Sequence, residues 1–143
     1  MPLDAGEAQE MNTMTLQRDA DAATRPIVLV VEDEFIVAFD LAETVRDEGF
    51  TLAGPYAHGG EAIEMLDRDH PDAAILDVKL ADGEVYPLAD RLTERGIPIL
   101  FHSGHEVPGH LLARYPTARA CSKPCPPCEL LTNLREAVYR AAA

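Results

Sequence analysis

The sequence contains little positive charge and no tryptophan. Its 12 Lys and Arg residues are outnumbered by 25 Asp and Glu residues, so the formal net charge is −13 at pH 7. Proteins bind the nucleic-acid backbone mainly through clustered Lys and Arg side chains. The charge balance therefore argues against a nucleic-acid partner.

Cysteine is also scarce. The three cysteines, Cys121, Cys125 and Cys128, all lie in the last quarter of the chain. An odd and unevenly distributed set does not form a disulfide framework, and free thiols are typical of a reducing compartment. We therefore expect all three to be free thiols.

Long apolar runs are missing as well. No stretch comes near the ~20 apolar residues that a membrane-spanning helix requires, and the polar N-terminus lacks the basic start and apolar middle of a secretion signal. We therefore expect a cytoplasmic protein with no membrane partner.

Residues 1–25 are small and polar without sustained periodicity, which predicts a flexible tail. Residues 26–141 have the length and apolar content of one domain.

From Pro26 onward, short apolar runs alternate with apolar stripes at helical spacing, a pattern typical of βα units around a parallel sheet. The predicted strands are Ile27–Val31, Thr51–Ala53, Ala73–Leu76, Ile99–His102 and Ala120–Ser122. Pro108 and Gly109 predict a short or mobile element after the fourth strand. The four phenylalanines are expected to pack in the core: Phe35, Phe39, Phe50 and Phe101.

Polar side chains follow several of the predicted strands. Glu32 and Asp33 follow the first strand, Asp77 the third, Ser103 the fourth and Lys123 the fifth. With strands one, three and four adjacent, the three acids share the crevice beyond the carboxyl ends of the strands. Three carboxylates so near one another remain ionised only if a cation is bound between them. Mg²⁺ suits such a site, because it prefers a few carboxylates together with water and phosphate oxygens as ligands. An adjacent Lys and a hydroxyl suit phosphoryl transfer, which leaves Asp77 as the nucleophile.

These residues, in this order, resemble the receiver domains of two-component response regulators, and the resemblance covers residues 26 to about 139. It implies a (βα)5 flavodoxin-like fold with a parallel sheet in the order 2-1-3-4-5. It also implies a cis peptide bond between Lys123 and Pro124. The implied Mg²⁺ ligands are three carboxylates and one backbone carbonyl: Glu32, Asp33, Asp77 and Lys79. The implied phosphorylation site consists of the acceptor Asp77 with Ser103 and Lys123.

The resemblance implies a function in a phosphorelay. Asp77 would accept a phosphoryl group from a sensor histidine kinase or a phosphotransfer protein, with Mg²⁺ as the cofactor. The domain would then signal through protein–protein contacts or act as a phosphate sink. It would not be an enzyme beyond its own phosphorylation and autodephosphorylation. A homodimer is left open by the sequence.

The region around the fourth strand is most similar to an alphaproteobacterial branch whose fourth strand reads Phe-Ala-Thr-Gly-Tyr. That branch includes receivers without an output domain, so we expect a stand-alone receiver. Ala120 departs from the family, because most receivers carry Tyr or Phe there, and signalling is expected to use the loop after Ser103 instead. A phosphorylation-independent docking module with the same fold is the alternative function.

Two further features have more than one interpretation. The side chain of Lys79 either is simply solvated or pairs its ammonium with Glu32 or the phosphoryl group. The cysteines follow a C-x3-C-x2-C pattern that also occurs in iron–sulfur enzymes. Besides plain thiols, the interpretations are a redox-sensitive pair and a metal site with His102 or His105.

Overall fold

A computed structural model describes residues 25–80, 85–104 and 109–142 of the chain. These ranges contain five strands and five helices in strict alternation. The strands are β1 (Ile27–Val31), β2 (Thr51–Tyr56), β3 (Ala73–Asp77), β4 (Ile99–Ser103) and β5 (Arg119–Ser122). The helices are α1 (Phe35–Asp47), α2 (Gly59–Leu66), α3 (Val85–Glu94), α4 (Gly109–Arg114) and α5 (Pro127–Ala142). Apart from Arg25, the tail predicted for residues 1–25 lies outside the described residues.

The five strands form one parallel sheet in the order β2-β1-β3-β4-β5, which confirms the predicted fold class. The chain passes from β1 outward to β2 and returns to β3 on the other side of β1. In such a sheet, the crevice used for binding opens at the carboxyl ends of the two strands between which the order reverses. Here these are the ends of β1 and β3.

Alternate residues of the central strands pack on opposite faces of the sheet, as the two-residue period of a strand requires. Leu29, Leu76 and Phe101 belong to the core under α2, α3 and α4. Val30 and Ile75 belong to a second core, under α1 and α5. Both faces of the sheet are therefore covered by helices, which explains why β1 and β3 are nearly continuous apolar runs.

The prediction that all four phenylalanines are core residues is wrong for two of them. Phe50 and Phe101 are buried, whereas Phe35 is 82% exposed and Phe39 is 53% exposed. The buried stripe of α1 consists of other residues: Ala38, Leu41, Ala42 and Val45. Phe35 and Phe39 lie to one side of that stripe, so their rings face solvent.

β2 extends beyond the predicted Thr51–Ala53 to Tyr56. Its end is held because Glu32 donates its backbone N–H to the carbonyl of Tyr56 at 2.9 Å. The backbone of Gly54 approaches β1 closely, and a Cβ atom there would lie 2.7 Å from the carbonyl oxygen of Val30. Gly54 also has a φ of +100°, so both space and backbone conformation require glycine.

The predicted short element after the fourth strand is confirmed as α4, which has 6 residues. Residues 105–108, which connect β4 to α4, lie outside the described residues. Within the described ranges, no helix is both long enough and apolar enough to cross a membrane.

Candidate functional site

Three carboxylates meet at the crevice between β1 and β3. Glu32 and Asp33 follow β1 directly, and Asp77 is the last residue of β3. One oxygen from each of the three lies within 4.8 Å of the others. Glu32 and Asp77 are only 2% and 5% exposed, whereas Asp33 is exposed. The parallel pairing of β1 with β3 brings the acids to the same edge of the sheet.

Lys123 supplies the positive charge of this crevice. Its Nζ lies 3.0 Å from Oε1 of Glu32 and 3.5 Å from Oδ2 of Asp77. The backbone N–H of Lys123 donates to the carbonyl of Ser103 at 2.6 Å, which ties the residue to the end of β4. The Lys123–Pro124 peptide bond is cis, as the resemblance to receivers implies. A single ammonium therefore faces two of the three carboxylates.

The electrostatics of the crevice favour an additional cation. Burial raises the pKa of Glu32 to about 7, although the hydrogen bond from Lys123 opposes the rise. Burial also raises the pKa of Asp77, against the hydrogen bond from the Lys79 backbone. Burial lowers the pKa of Lys123, but its bond to Glu32 and the nearby negative charges outweigh this and leave it raised. Ionising both carboxylates in this buried crevice is therefore unfavourable unless a further positive charge joins Lys123.

The donor set fits a hard divalent cation such as Mg²⁺, which binds carboxylate oxygens and keeps several waters. Oε2 of Glu32 is buried and has no hydrogen-bond partner within the described part of the chain. Lys79 borders the same crevice, since its backbone N–H donates to Oδ1 of Asp77 at 3.1 Å. The residues that would hold the ion are Glu32, Asp33, Asp77 and the backbone of Lys79.

The ammonium of Lys79 does not pair with Glu32. Glu32 forms its ion pair with Lys123, and Lys79 is in no salt bridge among residues 25–80, 85–104 and 109–142. The side chain of Lys79 is exposed, which agrees with its interpretation as a solvated lysine.

Ser103 is the last residue of β4 and is buried. The pairing of β3 with β4 sets Asp77 beside His102, so Ser103 lies one residue beyond Asp77 along the sheet. The structure thus brings Ser103 to the same edge as the carboxylates. The expected signalling loop after Ser103 lies, beyond Gly104, outside the described residues.

His102 has a feature that the sequence does not reveal. It is only 4% exposed, and its Nδ1 has no hydrogen-bond partner within the described residues. Burial, with a smaller contribution from the charge of Lys123, lowers the pKa of His102 to about 4. The imidazole is therefore neutral at pH 7. Together with Lys123, His102 lines a groove of about 690 Å³ between α1 and α5.

The expectation of three free thiols is wrong. Cys121 and Cys125 form a disulfide, with their Cα atoms 5.9 Å apart, and only Cys128 is free. Cys121 is buried in β5, and the chain folds back after Pro124 so that Cys125 meets it. The alternative of a metal site with His102 is not supported, because in the described ranges the residue grouped with these two sulfurs is Glu129. His105, the other ligand considered for such a site, lies outside the described residues.

A sequence model of the response regulator receiver domain matches residues 28–135. The chain therefore belongs to the response regulator receiver domain family, which confirms the resemblance noted from the sequence.

Similar proteins come from several bacteria. Over 79 residues the chain is 38% identical to the transcriptional regulatory protein PdtaR of Mycobacterium tuberculosis, a match that covers 55% of this chain and 38% of that protein. Over 83 residues it is 32% identical to the positive alginate biosynthesis regulatory protein of Pseudomonas aeruginosa, covering 55% of this chain and 34% of that protein. The match thus spans only about a third of the length of these relatives.

The fold is shared with solved receiver structures. The signal receiver domain of an HD domain-containing protein from Pseudomonas fluorescens superposes with a TM-score of 0.74 at 22% identity, over 82% of this chain and 98% of that chain. At this level of identity, the likeness shows the fold.

Proposed function

We propose that this receiver is the phosphoacceptor of a two-component phosphorelay, with Asp77 as the phosphorylated residue and Mg²⁺ as the cofactor. The observation that carries the proposal is the position of Nζ of Lys123, 3.5 Å from Oδ2 of Asp77, in a crevice that also contains Glu32. A buried carboxylate beside both an ammonium and two further acids suits an anionic group that arrives together with a divalent cation.

The proposed reaction is a transfer from a phosphohistidine. A carboxylate oxygen of Asp77 attacks the phosphorus, the phosphorus–nitrogen bond breaks, and the imidazole of the donor leaves with the electron pair. Mg²⁺, when bound, would neutralise charge on the phosphoryl oxygens. Lys123 faces Asp77 and would neutralise the remaining charge, while the hydroxyl of Ser103 would donate to a phosphoryl oxygen.

The backbone also positions the acceptor. Oδ1 of Asp77 accepts the N–H of Lys79 at 3.1 Å, while Oδ2 faces the ammonium of Lys123. The two oxygens of the carboxylate are therefore held by different partners, which orients the group before the donor arrives. Fixed orientation of a nucleophile lowers the entropic part of a reaction barrier.

The partner that we propose is a sensor histidine kinase or a phosphotransfer protein. The first turns of α1 expose three large apolar side chains beside the crevice, Phe35, Ile36 and Phe39, which we call the α1 patch. Exposed apolar clusters of this kind are typical of protein interaction sites. The patch follows Glu32 and Asp33 directly in the chain, so a protein docked there would reach Asp77. The net charge of −13 argues against direct action on nucleic acid.

After phosphorylation, the domain would signal by contacting another protein or would drain phosphoryl groups from the kinase. We propose that it works in the cytoplasm and has no catalytic activity beyond its own phosphorylation and dephosphorylation.

The second candidate, a docking module that does not need phosphorylation, is favoured by one observation. The α1 patch is already exposed in the unphosphorylated protein.

One experiment separates these candidates. The protein is incubated with Mg²⁺ and acetyl phosphate, and its intact mass is compared with that of an Asp77→Asn variant. We expect the wild-type protein to gain one phosphoryl group and the variant to gain none. The opposite outcome is that neither acetyl phosphate nor a panel of sensor kinases phosphorylates the wild-type protein, while the wild type and the Asp77→Asn variant bind a partner equally well. In that case the docking module is correct and the proposed phosphoacceptor is wrong.

A further inference from the structure

The Cys121–Cys125 disulfide encloses the lysine of the crevice. The bond joins residues four positions apart, and Lys123 lies midway between them. Cys121 is held in β5, where its backbone pairs with that of His102 in β4. Cys125 lies two residues before the start of α5. The bond therefore fixes the path of the chain between the end of the sheet and the last helix.

A ring this small contributes little to stability through loop entropy, because that contribution grows with the number of residues enclosed. Its main effect is positional. The backbone N–H of Lys123 is already bonded to Ser103 on the β4 side. The disulfide adds a second constraint on the α5 side, so the backbone that carries the ammonium is held from both directions.

We propose that Cys121 and Cys125 form a thiol–disulfide modification site whose oxidised state holds Lys123 against Glu32 and Asp77. This inference rests on the proposed phosphoacceptor function in one respect, since it makes the rate of phosphoryl transfer to Asp77 depend on the state of the cysteine pair. The reacting partners are low-molecular-weight thiols and their disulfides. In a reducing compartment, disulfides are typically transient and redox-sensing, which is the behaviour expected of such a site.

The two sulfurs differ in access. Cys121 is buried, whereas Cys125 is half-buried and lines the groove between α1 and α5. An external thiolate therefore attacks Sγ of Cys125, the sulfur–sulfur bond breaks, and Cys121 leaves as a thiolate that takes up a proton. A second thiol then attacks the mixed disulfide, which releases Cys125 as a thiol and the external disulfide. Two electrons and two protons pass from the two thiols to the protein, and the reverse reaction restores the bond.

Reduction has a defined structural consequence. Two thiol sulfurs in contact lie farther apart than two bonded sulfurs, so one of them must move. Cys121 is fixed in the sheet, and the displacement therefore falls on residues 124–126. A displacement there loosens Lys123, because Pro124 is its direct neighbour. Even ~1 Å of misplacement of a positioned group can slow a reaction by up to ~100-fold, and we expect phosphorylation of the reduced protein to be slower by at least about threefold.

The test compares the oxidised and the reduced 143-residue protein under otherwise identical conditions. Alkylation followed by intact mass measurement is expected to label one thiol before reduction and three after it. Phosphorylation of Asp77 is then timed in both states. Cys125→Ser is expected to give the slow rate with or without reductant, and Cys121→Ser serves as a second variant. Cys128→Ser is the matched control, since it removes the exposed thiol and leaves the pair intact, and it should keep the full response.

A second readout does not depend on phosphorylation. The reactivity of Lys123 toward an acylating reagent, measured by peptide mass spectrometry, is expected to rise at least about twofold on reduction as its ion pairs loosen. Equal reactivity and equal phosphorylation rates in the two states would overturn the inference, as would three alkylated thiols before reduction. If neither state is phosphorylated by any donor but Lys123 reactivity still changes, the proposed function fails while the positional effect of the disulfide is supported.

Discussion

The ammonium of Lys123 donates to Oε1 of Glu32 at 3.0 Å, across a separation of 91 residues in the chain. This contact joins the end of β5 to the end of β1, although β3 and β4 lie between those strands in the sheet. It therefore spans the crevice in which Nζ of Lys123 also lies 3.5 Å from Oδ2 of Asp77. The behaviour of the site is expected to depend on this ion pair.

Replacing Lys123 by Ala is expected to slow phosphorylation of Asp77 by acetyl phosphate by roughly 100-fold, because a positioned charge that stabilises phosphoryl oxygens is lost. Mg²⁺ affinity, measured by isothermal titration calorimetry, is expected to rise, because the carboxylates lose a competing cation. Arg140→Ala, which removes an exposed positive charge in the last turn of α5, is the control. Phosphorylation of the Lys123 variant at the wild-type rate would contradict the role that we propose.

Without metal, the stability of the fold is expected to decrease as the pH rises from about 4.5 to about 7. Burial raises the pKa of Glu32 from 4.5 to about 7, so within this window the folded protein keeps a proton that the unfolded chain has lost. The raised pKa of Asp77 acts in the same direction. Thermal unfolding in the presence of a chelator, followed by circular dichroism across the window, measures the effect.

Glu32→Gln is the matched variant for this pH experiment, because it keeps the shape of the side chain but cannot ionise. Its unfolding temperature is expected to vary less with pH than that of the wild type. Mg²⁺ is expected to stabilise the wild type most above pH 7, where Glu32 is ionised and binds the cation best. A metal-free wild type that became more stable as the pH rose through this window would refute the assignment of the raised pKa.

Replacing Phe35 and Phe39 by Ala is expected to leave the free energy of unfolding within about 0.5 kcal/mol of the wild type, because exposed side chains contribute little to folding. Transfer from the cognate kinase is expected to slow roughly tenfold, as apolar anchors often dominate protein interfaces. Phosphorylation by acetyl phosphate should not change, since a small donor needs no docking surface.

The control for the α1 patch is Tyr139→Ala. Tyr139 is likewise a large and exposed apolar side chain, but it lies near the end of α5 far from Pro127. An α-helix rises about 1.5 Å per residue, so this ring is distant from the crevice. If Tyr139→Ala slowed kinase transfer as strongly as the double Phe variant, general surface hydrophobicity rather than docking at α1 would explain the effect.

Gly54→Ala is expected to destabilise the fold by about 3 kcal/mol, because the added Cβ meets the Val30 carbonyl while the backbone keeps a positive φ. Gly49→Ala measures the cost of the positive φ without the steric contact. Gly49 has a φ of +93° but no atom within 4 Å of the added Cβ, so a loss of about 1 kcal/mol is expected from backbone conformation alone. Urea unfolding measures the free energy of unfolding of both variants. Equal losses in Gly54→Ala and Gly49→Ala would show that the close approach of β2 to β1 does not contribute to stability.

Much of the fold could be predicted because its signals are local. A short continuous apolar run identifies Ile27–Val31 as a strand, and apolar residues at helical spacing indicate helices between the strands. Both kinds of element occur as predicted. The positions of Glu32, Asp77 and Lys123 just after strands, or at a strand end, are likewise visible along the chain. A parallel sheet turns those strand ends into one crevice, so the composition of the site follows from the order of its elements.

Other properties depend on packing between distant segments. Sequence spacing places Phe35 and Phe39 on a helix but does not say how α1 rotates against the sheet, and that rotation decides that Ala38 is buried while the rings are exposed. The number of cysteines favours free thiols, yet the turn after Pro124 brings Cys125 onto Cys121.

The amino-acid sequence by itself determined the βα alternation and the kinds of side chain at the crevice, because hydrophobic periodicity and strand-end position are properties of neighbouring residues. The strand order was implied by the resemblance to receiver domains. Only the tertiary structure decided that Glu32 is buried against Lys123, that Nδ1 of His102 has no hydrogen-bond partner within the described residues, and that a disulfide encloses the lysine. Burial and contact between residues far apart in the chain arise from how helices and sheet pack, and no local pattern specifies them.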